Sequence, residues 1–109
     1  MSDDLETVLT VEPGACRFRT RIQAHMDEDR VTHLNLESDC PYVRKVGEEI
    51  CSLTLDEIIQ MPFCENKVYR VSGRLLKHSV CPVPMAMLKC AEAAAGLALK
   101  KDIKAEYKR

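Results

Sequence analysis

Between Arg17 and Ala24 the side chains alternate without a break. Phe18, Thr20, Ile22 and Ala24 fall on one side, and Arg17, Arg19, Arg21 and Gln23 on the other. Extended backbone turns successive side chains to opposite faces, so this pattern spells a strand with one wet and one buried face. Such a strand must pair with others and be covered on its apolar side. The acidic group Asp27-Glu28-Asp29 supplies a turn, and Val31 to about Glu37 reads as the returning strand. Leu34 and Leu36 point inward there if a bulge keeps the alternation in step. Two strands joined this way predict a hairpin within a small antiparallel sheet.

The other segments read mostly as helix. Val43, Val46 and Ile50 recur at helical spacing after Pro41, with Gly47 weakening that helix a little. Thr54-Leu55-Asp56-Glu57 is a capping box that opens a short helix carrying Leu55, Ile58, Ile59 and Met61, ended by Pro62. From Pro82 to about Lys101 a long helix is expected, with Met85, Leu88, Ala91 or Glu92, Ala95 and Leu99 on its period and Gly96 as a bend or end. Residues 62–80 leave strand and helix both open, with a loop near Ser72-Gly73. Residues 1–14 read as a lead-in with Leu5, Val8, Leu9 and Val11, closed by a turn at Pro13-Gly14. Ile103, Ala105 and Tyr107 suggest a terminal strand or an extended tail. The expectation is α+β, a small antiparallel sheet packed on one side by helices, with residues 1–109 as one domain.

Sixteen basic residues against seventeen acidic ones give a net charge of −1, which argues against a dedicated nucleic-acid binder. Arg17, Arg19 and Arg21 leave a local basic patch open, on the wet face of the first strand. The acidic start at Asp3-Asp4 is unlike a secretion signal, and no apolar run reaches membrane-spanning length. A cytoplasmic protein is expected. No phosphate loop, dinucleotide fingerprint or serine nucleophile elbow is present.

Six cysteines in a reducing compartment are more often metal ligands or redox groups than disulfides. No two form a C-x-x-C pair, so any site must be assembled from distant segments. Cys40 and Cys81 each precede a proline that opens an expected helix, and the free amides at a helix N-terminus favour a thiolate. Cys16 lies where the first strand begins, on the parity of Phe18 and Ile22, so core packing competes for it. These three at element boundaries are the candidate site, and Asp39, His78, an exogenous thiol or a substrate would supply a fourth ligand. Cys64 is a reserve ligand. Cys51 and Cys90 read as structural, and His25 and His33 as surface residues. Tyr42, Lys45 and Lys89 would either tune the site electrostatically or stand as plain solvated side chains.

The order Gly14-Ala15-Cys16, two strands, Asp39-Cys40, a helix, Ser52-Leu53-Thr54-Leu55-Asp56-Glu57, then a cysteine opening an alanine-rich helix resembles the U-type iron–sulfur cluster assembly scaffold. The resemblance implies that Cys16, Cys40 and Cys81 are the three cysteines of that family. It departs in two places: Ser79 and Val80 separate His78 from Cys81, and Arg17 stands where that family carries an aspartate. Cys81-Pro82-Val83-Pro84 with the downstream helix looks closer to a small uncharacterised prokaryotic family. The expected function is binding of an iron–sulfur cluster or Zn²⁺ by the three cysteines, as a cluster scaffold or carrier. A cluster- or sulfur-donating protein would be its partner, and a homodimer is open. Two rivals stand beside it: a thiol enzyme with Cys81 or Cys40 as nucleophile and His78 as base, and a non-catalytic structural or interaction module whose cysteines merely pack.

Overall fold

The computed structural model describes residues 6–109; Leu5 of the expected lead-in lies outside them. Four strands, β1 (Thr7–Val11), β2 (Thr20–Met26), β3 (Thr32–Ser38) and β4 (Ser52–Leu53), form one antiparallel sheet in the order β1-β2-β3-β4. Four helices follow or interrupt them: α1 (Pro41–Glu49), α2 (Leu55–Ile59), α3 (Lys67–Leu75) and α4 (Val83–Ala94). One turn of 3-10 helix, Phe63–Glu65, connects α2 to α3.

The hairpin register runs from Thr20 opposite Ser38 to Met26 opposite Thr32 without interruption, so no bulge is needed. Ile22, Ala24 and Leu34 turn inward and are buried with Val43, Val46 and Ile50 of the α1 segment. From α4, Met87, Cys90 and Ala91 complete this core against β1 and β2. The small side chains Ala86, Cys90 and Ala91 let the α4 backbone lie close to the sheet. The opposite face of the sheet is polar. Arg21 donates to Glu37, Gln23 to Glu6 and Asn35 to Gln23, while His25 and His33 stack across the strands with ring centres 5.1 Å apart. One covered face and one wet face match the alternation in the sequence.

Several boundaries differ from the sequence reading. The β2 strand begins only at Thr20, because Arg17 adopts φ 64° and breaks the extended run. Phe18 is therefore 45% exposed instead of packing beside Ile22. Part of the lead-in is a strand, β1. Residues 67–75 are helix through Ser72-Gly73, where a loop was expected. Ile59 and Met61 are exposed, leaving Ile58 as the buried residue of α2.

The α4 helix stops at Ala94, short of Lys101. Gly96 takes φ 76°, its amide bonds to the Ala93 carbonyl, and the Leu97 amide bonds to Glu92. These two reversed bonds form a Schellman motif, which ends a helix in the left-handed conformation glycine adopts without penalty. The buried stripe of α4 is Val83, Ala86, Met87, Cys90 and Ala91; Met85 and Leu99 lie off it. Beyond the motif the chain is an extended tail with no strand, and Tyr107 is exposed.

A candidate thiol site at the mouth of an apolar cavity

Cys40 is the N-cap of α1, with extended φ and ψ, and Pro41 is the first helical residue. The proline's missing N–H would be unpaired there in any case. The Cys40 amide donates to Ser38 Oγ (3.2 Å), which also accepts from Thr20 Oγ1 (3.0 Å). Cys40 is thereby pinned to the end of the β2–β3 hairpin.

Cys81 sits one residue before the cap of α4: Pro82 is the N-cap and Pro84 falls in the first turn. The sequence reading made Pro82 the first helical residue. The helix starts one residue later, and a tight turn with the Cys81 amide on the His78 carbonyl leads into it. The Val83 amide still points at the Cys81 sulfur. Cys16 occupies the turn closed by the Arg17 amide on the Gly14 carbonyl (3.1 Å), where its side chain is exposed. Core packing, the competing reading for Cys16, is excluded by that exposure.

Cys16, Cys40, Cys81 and His78 line the same cavity, of about 530 Å³. Its other walls are apolar, among them Phe18, Leu76, Val80 and Val83. Tyr42 also lines it, with the Lys77 and Lys45 ammonium groups 5.6 and 5.9 Å from its ring centre. Burial pushes the Cys81 thiol up, the Val83 amide pulls it part of the way back, and negative charge on Cys40 or Cys16 would push it further. That direction runs against the thiolate expected at the start of α4, because burial outweighs the amide.

The remaining candidates lie elsewhere. Asp39 lines a neighbouring open cleft and not this cavity. Cys64 is exposed on the 3-10 turn. Cys51, expected as structural, is exposed, with its sulfur 3.6 Å from the Gly47 and Glu48 carbonyls. Cys90 is buried as expected, its thiol donating to the Thr7 and Ile22 carbonyls where β1 meets β2. His33 binds Asp27 at 2.7 Å on the wet face, and that contact holds the Asp27 carboxyl below the usual range. Lys89 stands on α4 away from the cavity lining. None of the six cysteines forms a disulfide. Among the described residues, no three histidine, cysteine or carboxylate side chains are placed to grip a metal ion together.

Phe18 and Val80 are the wall residues that pattern reading misplaced or passed over. Val80 is 87% exposed beside Cys81, and an apolar residue left in water next to a thiol is the signal that marks it.

A one-sided antiparallel sheet with thiols gathered at the rim of an apolar cavity defines a small α+β thiol-bearing protein. The chain belongs to the family of unknown function DUF6951, whose model matches residues 7–107. No curated protein and no solved structure matches it. Among the described residues, no helix is long and apolar enough to cross a membrane.

Proposed function

We propose that the chain binds a soft metal centre, an iron–sulfur cluster or Zn²⁺, through Cys16, Cys40 and Cys81, and acts as a carrier or scaffold for it in the cytoplasm. The observation that carries this reading is that cysteines from three separate segments line one cavity. Three thiols and an imidazole are the donor set that zinc and iron–sulfur centres take. As they stand the sulfurs do not close around an ion, so binding requires them to turn inward. Cys16, in an exposed turn, has the room to do so. His78 is the fourth donor on the cavity wall, with Asp39 facing away into the cleft. The likeness of the cysteine order to the U-type scaffold favours a cluster over zinc, and with it a cluster- or sulfur-donating partner. The bound centre would supply a site of transferable iron and sulfide, or a structural clamp. The protein's part is to gather the three cysteines at the mouth of an apolar cavity.

The test is anaerobic reconstitution with iron and sulfide, or with Zn²⁺ alone, followed by metal and acid-labile sulfide analysis. About one centre per chain is expected in the native protein and in C51S and C64S, with loss in C16S, C40S and C81S. Equal loading of all five variants would overturn the reading. So would an empty native protein in which one thiol reacts much faster than the rest, the mark of a cysteine nucleophile.

A further inference from the structure

A second site adjoins the thiol cavity. Arg17, Arg19, Arg21 and Arg44 gather around an open cleft of about 710 Å³ at the end of the β2–β3 hairpin. Arg19 is paired with Glu12, and Arg21 with Glu37. Among the described residues, Arg17 and Arg44 have no carboxylate partner. Arg17 is held in a left-handed conformation by the turn that carries it, a costly position for a side chain of this kind.

The backbone beside these arginines is also unpaired. The β4 strand covers only Thr32 and His33 of β3, and one further bond runs from the Leu34 amide to the Cys51 carbonyl. Because Leu34 faces β4, alternation sends the Leu36 amide and carbonyl to that same edge, where no strand lies against them. Among the described residues no strand pairs with Leu36 on that side, while α1 packs on β3 with Gly47 close to the Leu36 side chain. Leu36 and Ser38 line the arginine cleft.

We infer that this cleft binds an extended acidic peptide segment, which adds to the open edge of β3 through its backbone while its carboxylates meet Arg17 and Arg44. Strand addition supplies the main-chain bonds, and guanidinium–carboxylate pairing selects the sequence. With Arg19 and Arg21 already paired and Asp39 in the lining, the cleft offers only a short stretch of uncompensated positive charge, which suits a few peptide carboxylates better than a continuous phosphate backbone. The cleft has no aromatic side chain for bases to stack on.

The experiment uses the full chain and a fluorescein-labelled Glu-Val-Glu-Val-Glu peptide, followed by anisotropy at low salt. Saturable binding is expected, at least tenfold weaker for Arg44→Glu and weaker again for the double variant R17E/R44E. Both positions are exposed and, among the described residues, unpaired, so the variants keep the fold. Hydrogen exchange at the Leu36 amide should slow when the peptide binds. Absence of binding, unchanged affinity in R44E, or unchanged exchange at Leu36 overturns the inference. Tighter binding of a single-stranded oligouridylate than of the peptide, lost in the same variants, would overturn it in favour of a nucleic-acid surface.

Discussion

Asn66 holds more of the chain together than its size suggests. It is buried, its Oδ1 accepts from the Val68 amide as the cap of α3, and its Nδ2 donates to the carbonyls of Glu57, Ile58 and Gln60 at the end of α2. Asn66→Ala leaves those carbonyls and the Val68 amide without this partner, and the expected loss is about 2–4 kcal/mol in urea unfolding. Asn66→Asp keeps the cap but removes the donors, so it should not rescue. Nothing in the sequence marked Asn66, because a side chain that satisfies carbonyls six to nine residues back has no periodic signature. Cys90 is a second case. Burial pushes its thiol up to about 11, so the folded state prefers the neutral form by roughly 3 kcal/mol. That contribution is intact below the ordinary thiol range and disappears as pH rises from about 9 toward 11. Native protein should therefore lose stability over that window, and Cys90→Ala should flatten the loss. Matching slopes in the two proteins would assign the alkaline transition to other groups.

Elements were legible where their signal is local. The Thr54–Glu57 capping box is present with both reciprocal bonds, 2.9 Å and 3.2 Å. The burial pattern of β2 follows its alternation from Thr20 onward. The third helix was hidden for a physical reason: Val68, Val71, Ser72 and Leu75 make an amphipathic stripe, yet Ser72-Gly73 within it are turn formers. Burial of Val68 and packing of Val71 and Leu75 on the core overrode that preference, at the cost of a buried Ser72 hydroxyl with no partner among the described residues. The face of α4 was misassigned because so many of its residues are small and apolar that several stripes fit equally well. Its end depends on Gly96. No atom stands within 4 Å of a side chain added there, so Gly96→Ala should cost only the left-handed backbone strain, about 1 kcal/mol. A much larger fall in thermal midpoint would mean that the tail beyond it contributes packing as well.

At the scale of the molecule, the places of Cys16, Cys40 and Cys81 at element boundaries made legible that all three line one cavity, but among the described residues they do not close around an ion as expected. The arginine cleft was visible only in part. The alternation put Arg17, Arg19 and Arg21 on one side, but Arg44 joins them through the packing of α1 on β3, which spacing along the chain cannot convey. Metal analysis and peptide binding probe the two sites separately. C40S should abolish the first and spare the second, and R44E the reverse.

The sheet's two margins are finished differently. Along β1, residues 99–103 of the tail run beside Thr7–Leu9 across a narrow groove, while part of β3 stays open. A second copy can meet β3 with its own β3, but a continuous ribbon also needs β1 bare, and the tail stands beside it. Stacking of copies into a continuous ribbon is blocked at one end, so the exposed margin at the other can persist without seeding fibres.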